Sequence, residues 1–114
     1  MEDCLFCKII AGEIPAEIVA ENDHAIAFRD INPAAPTHFL AVPRRHIASL
    51  EAMTDADGEA MAGVLALIRD AARAEGLLPG GYRVVSNTGP DAGQLVMHVH
   101  FHVLGDRELG WPPG

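Results

Sequence analysis

The sequence is short of positive charge: eight Lys and Arg stand against sixteen Asp and Glu in 114 residues, a formal net charge of −8. Nucleic-acid backbones and anionic membranes are held by basic surfaces, so neither nucleic acid nor membrane is expected as a partner. No apolar run approaches the length that spans a bilayer. The opening Met1-Glu2-Asp3-Cys4 is acidic where a secretory leader is basic and then apolar, which predicts a cytoplasmic protein. There are only two cysteines, and that compartment keeps thiols reduced. A chain of this size buries roughly two-thirds of its unfolded surface and needs no disulfide to fold. Repeats, low-complexity tracts and dividing linkers are all missing, so residues 1–114 read as one domain. What is present is 49% hydrophobic and 21% charged, an ordinary globular composition.

Leu5, Phe6, Ile9 and Ile10 predict a short helix near the start, closed by Gly12 and Pro15. Residues 17–20 and 24–30 read as strands joined by a two-residue turn at Asn22-Asp23. A third strand, 38–42, ends at Pro43. One long helix is marked by a cap at Thr54 or Asp55, by Met61, Val64, Leu65, Ile68, Ala71 and Ala72 at helical spacing, and by a stop at Gly76. A strand over 82–87, a glycine-rich loop over 88–94 and a long strand over 95–104 complete the chain. Consecutive hairpin-connected strands with helices between them predict an α+β fold on a mainly antiparallel sheet.

Three of the six histidines alternate within His98-Val99-His100-Phe101-His102. On a strand this turns all three imidazoles to one face and Met97, Val99, Phe101 and Val103 to the other. A single strand histidine is usually a hydrogen-bonded filler, but three in strict alternation are rarely stacked without use. Metal binding is one use. Same-face neighbours lie about 6.6 Å apart, so two imidazoles reach one ion and the third is left over. Nucleophilic chemistry is the other. Neutral imidazole attacks phosphorus without prior deprotonation, provided that a fixed acceptor takes the proton of its second nitrogen. The middle histidine, with a neighbour on each side, is best placed to attack.

Residues 98–104 resemble the histidine-triad (HIT) family, whose hallmark is His-φ-His-φ-His-φ-φ with φ apolar. Phe6…Lys8-Ile9-Ile10, Glu13-Ile14-Pro15, Ala27-Phe28-Arg29-Asp30-Ile31, Pro36-Thr37-His38-Phe39, Pro43-Arg44-Arg45-His46, Gly93-Gln94 and Trp111-Pro112-Pro113-Gly114 extend the likeness to nearly the whole chain, specifically to the Hint branch. The resemblance implies a HIT-like α+β fold with a five-stranded sheet, one long helix and a short N-terminal helix. It also implies a homodimeric hydrolase that cleaves the P–N bond of purine nucleoside 5′-phosphoramidates through a nucleotidyl-histidine. Dinucleoside polyphosphate hydrolysis, nucleotidyl transfer and non-catalytic nucleotide binding are the alternatives.

Carried over by position, the resemblance makes His100 the nucleophile, flanked by His98 and His102, with His38 the fourth histidine. Asn87 and Gln94 match phosphate contacts, although either residue alone is more often a loop-satisfying side chain. Asp30 matches the acceptor of the ribose hydroxyls; its plainer role is to turn the chain before Ile31-Asn32-Pro33. Leu5, Phe6, Ile9, Ile14, Phe28 and Ile31 match an apolar slot for the purine, and on their own read mostly as core. The tail from Trp111 would lie near the partner subunit's site. No cofactor is required for this chemistry.

Two departures stand out. Leu95 follows Gly93-Gln94 where the branch commonly carries Ser. Cys4-x-x-Cys7 is the second: two sulfurs on one turn suit tetrahedral zinc, with a redox pair or two buried free thiols as rivals. In many relatives such a pair is half of a zinc site. The histidines matching His46 and His98 complete it, and the ion expected here is structural. His24 reads as a surface histidine.

Overall fold

The structure, a computed structural model, describes residues 3–114. Five strands form one sheet in the order β1-β2-β3-β5-β4: β1 is Ile18–Glu21, β2 Ala25–Arg29, β3 Thr37–Pro43, β4 Tyr82–Val85 and β5 Phe101–Gly105. Every neighbouring pair is antiparallel. Helix α1, Leu5–Ile10, precedes the sheet, and helix α2, Gly58–Ala74, follows β3. The expected α+β architecture, with five strands, one long and one short helix, is what the chain adopts.

Alternation along the strands divides the core in two. Ala25, Ala27, Phe39, Ala41, Val99, Phe101 and Val103 meet Met61, Val64, Leu67, Ile68, Ala71 and Ala72 of α2. Ile26, Phe28, Leu40 and Val42 meet Cys4 and Phe6 at α1. The candidate site residues Cys4, Phe6 and Phe28 lie on this second side.

Three details differ from the sequence reading. The turn after β1 takes three residues, because the Asn22 carboxamide oxygen accepts the N–H groups of both His24 and Ala25. Leu65 is 54% exposed although it falls at helical spacing, and Met97, expected in the core, is 52% exposed. The third correction concerns the last strand, which begins at Phe101 rather than residue 95, while β4 stops at Val85. Side chains take over the ladder's role upstream. The His98 carbonyl faces the His100 ring, the His100 carbonyl accepts the Ser86 hydroxyl, and the Val99 N–H goes to Ile47 O. The in–out alternation of β5 thus continues back through residues 98–100 without strand pairing.

Among the described residues, no helix is long and apolar enough to cross a membrane.

Candidate active site

His38 on β3 and His102 on β5 are diagonal neighbours on one face, since Leu40 pairs with His102 and His38 with Leu104. Their rings meet with His38 Nε2 2.9 Å from His102 Nδ1. The His100 ring lies 5.2 Å from that of His102, and Phe6 closes on its other side at 5.0 Å. His98 is fully buried, and His100 is only 6% exposed.

Backbone groups decide which nitrogen of each ring carries the proton. His98 Nε2 donates to Pro43 O at 2.8 Å, leaving Nδ1 bare. His100 Nδ1 donates to His98 O at 2.7 Å, leaving Nε2 bare. His38 is reversed: its Nδ1 accepts the Ala34 N–H at 3.0 Å, so the neutral ring carries its proton on Nε2 and gives it to His102 Nδ1. His102 then keeps its own proton on Nε2. Burial lowers the pKa of His38, against the pull of Asp30, and lowers that of His102, with His100 and His38 adding to the effect. Burial also lowers His98, outweighing its bond to Pro43. These rings are therefore neutral at neutral pH, as the tautomers require.

Asp30 divides its carboxylate. One oxygen accepts the Asn32 N–H at 2.8 Å, the turn-making role; the other lies 3.4 Å from His38 Nε2. Gln94 is held inside the 88–94 loop: its amide donates to Ala48 O and Val96 O, and its oxygen accepts the Gly89 N–H. Both of its N–H groups thus have protein acceptors, as in the loop-satisfying alternative. Asn87 lies half-buried just beyond β4. Of the apolar set, Phe6 and Phe28 are buried against each other, Ile9 packs beside them, Ile14 is half-buried, and Leu5 and Ile31 are exposed. Leu95 and Trp111 are 91% and 82% exposed. His24, expected at the surface, is half-buried against Gly63.

Among the described residues, two groups of side chains have metal-ligating atoms within 4.8 Å of one another, Cys4–Cys7–His46–His98 and Asp30–His38–His102. A ligating histidine normally donates its second N–H to an acceptor. His98 meets that condition through Pro43, whereas His38 Nδ1 faces the Ala34 N–H and has the opposite polarity. The first group also has the right spacing. His46 Nδ1 and His98 Nδ1 lie 3.2 Å apart, and sulfur–nitrogen separations are 3.3 to 3.5 Å. Tetrahedral zinc with ordinary bond lengths sets these edges at about 3.3 and about 3.5 Å. Burial, reinforced by the neighbouring Cys4, pushes the Cys7 thiol up, so a second thiolate here calls for a cation. The four residues fit a metal ion.

The parts taken by Pro43 O, the Ala34 N–H and the Ser86 hydroxyl were not expected from the sequence. The first two are backbone groups that no residue letter reports, and a lone serine beside Asn87 carries no pattern. A cavity of about 610 Å³ opens over Cys4, His46, Leu95 and Met97, and another of about 730 Å³ lies between Tyr82 and Gly110; His100 lines neither of these.

The HIT domain model matches residues 11–109. This chain belongs to the HIT family. An uncharacterized HIT-like protein of Synechococcus elongatus is 51% identical over 113 residues, covering 99% of this chain and 98% of that one. A HIT family hydrolase from Legionella pneumophila superposes with a TM-score of 0.95 at 50% identity, over 98% of this chain and 100% of its own. One from Clostridium thermocellum gives 0.93 at 39% identity, over 96% of both. The HIT domain thus carries its three alternating histidines on the face that also holds His38, Asp30 and the cysteine pair.

Proposed function

We propose that this HIT protein is a nucleotide-binding hydrolase of the Hint type, which cleaves the P–N bond of purine nucleoside 5′-phosphoramidates. The observation that carries this reading is the bare Nε2 of His100, fixed by its Nδ1–H bond to His98 O. Attack by that nitrogen on the α-phosphorus displaces the amine and forms a nucleotidyl-histidine, from which water releases the monophosphate. His102, made an Nε2–H donor by His38, is the group to hydrogen-bond the phosphate or the departing nitrogen. The hydrolases of similar fold named above support the reaction class. His100 is almost enclosed, with the Phe6 ring standing edge-on beside it.

Zinc is the metal proposed for Cys4, Cys7, His46 and His98. With four protein ligands it is structural, binding α1 to the residues before β5 and taking no part in the reaction. Two thiols serving as ligands suit a reducing, cytoplasmic setting. A second copy of the chain is the expected partner. Strand β4 is a free sheet edge with Tyr82 and Val84 exposed, and edge pairing there would make the homodimer.

Incubation with an adenosine 5′-phosphoramidate, with intact-protein mass spectrometry, tests the reading. A transient adduct of one nucleotidyl group is expected. Its loss in His100→Ala, with activity falling about a thousandfold or more, would identify the nucleophile. Cleavage of a dinucleoside polyphosphate in preference, or AMP binding without turnover, would replace the reaction with one of its rivals.

A further inference from the structure

Helix α1 belongs to two sites. Its N-cap Cys4 and its Cys7 supply the sulfurs of the metal-ligating group. Phe6, between them, lies edge-on to His100 and also meets Phe28 at 5.3 Å and His98 at 6.0 Å. A helix of six residues has no stability of its own. Phe6 is its one buried residue, with Ile9 and Ile10 half-buried against the same cluster, so its hold on the sheet depends on these few side chains and on whatever joins Cys4 and Cys7 to His46 and His98. His98 forms the second link. Its ring offers Nδ1 to the cluster, while its carbonyl accepts the Nδ1–H that orients His100. Each route from the cluster to His100 passes through a single residue.

We propose that a metal ion at Cys4, Cys7, His46 and His98 and a nucleoside monophosphate at His100 are thermodynamically linked, each raising the affinity for the other. This rests on the metal and nucleotide readings given above. With the ion bound, α1, the Phe6 ring and the His98 carbonyl are already in place when the nucleotide arrives. Without it, α1 frays and nucleotide binding must bear the cost of ordering it. Linkage is reciprocal: the factor by which the ion strengthens nucleotide binding equals that by which the nucleotide strengthens ion binding.

The test measures both sides on the full-length protein. AMP affinity is determined calorimetrically on zinc-loaded protein and after chelator treatment. Zinc affinity is determined against a chromophoric chelator, with and without saturating AMP; this arm needs no stable metal-free fold. Metal removal is expected to weaken AMP about tenfold or more, with the same factor recovered for zinc. His46→Asn, which changes a ligand outside α1, should weaken zinc and shift AMP affinity in the same direction. Equal AMP affinity with and without zinc, or unequal factors in the two arms, overturns the linkage while both sites stand. Failure to take up zinc removes the metal reading and the linkage with it. Failure of either form to bind AMP removes the nucleotide reading and the linkage.

Discussion

Four imidazoles crowd one face of this molecule, and what separates their roles is the nitrogen that keeps its proton. Pro43 O and His98 O take protons from His98 Nε2 and His100 Nδ1, while the Ala34 N–H forces the opposite choice on His38. The assignment predicts nitrogen-15 imidazole spectra of zinc-loaded protein near neutral pH. His100 should be protonated at Nδ1, and His38, His98 and His102 at Nε2. A His100 signal with Nε2 protonated would remove the nucleophile, since the reacting nitrogen would then have no free pair. The residue types of this site were readable in the sequence because alternation and the Cys-x-x-Cys spacing are properties of side chains. Their polarities were not, being set by backbone groups brought in from Ala34 and Pro43. Gln94 shows the same limit from the other side. Its match to a phosphate contact said nothing of the Ala48 and Val96 carbonyls that occupy both of its N–H groups.

At the level of elements, the long helix was plain from its apolar spacing and its cap. That cap, Thr54, opens a 3-10 turn, Asp55–Asp57, that runs into α2 at Gly58, its N–H donating to the Asp57 carboxylate at 2.9 Å, and Gly76 ends the run with φ +76°. The last strand was not plain, because hydrophobic alternation reports which face a side chain takes and not whether the backbone beside it is paired. Two glycines of this region provide a matched test. Gly58, the first residue of α2, has helical angles and open space where a Cβ would stand. Gly58→Ala should stabilise by about 0.5–1 kcal/mol through the unfolded chain's lost freedom. Gly63, one and a half turns on, has the His24 Cβ only 2.4 Å from that position, and its carbonyl accepts from the Asn22 amide. There the same substitution must displace His24 and the turn before β2, at a cost of about 1–3 kcal/mol. Thermal denaturation should move in opposite directions for the two variants, whereas helix propensity alone would raise both.

Taken as a whole, the molecule excludes water from a cluster of bases, and this makes its stability depend on pH in a definite direction. Burial holds His38 and His102 below the usual imidazole value, with His100 contributing at His102 and Asp30 opposing at both. In the unfolded chain the same rings titrate near about 6.5. Between the lowered folded values and that point, the unfolded chain binds more protons, so each step toward acid favours unfolding. The stabilisation is therefore complete above about pH 6.5 and is lost as pH falls through the depressed values of the folded rings. Urea midpoints of chelator-treated protein should stay level from about pH 8 to 7 and decline between about 6.5 and 5, above the range in which ordinary carboxylates titrate. His38→Asn with His102→Asn should lessen that decline, because an amide adds no proton in either state, and what remains is the share of His98, which burial also lowers. A midpoint that rises as pH falls from about 7 to 5 would mean that these rings hold their protons more tightly in the folded protein than in the unfolded chain. The proton order that leaves His102 as the donor beside His100 would then fail.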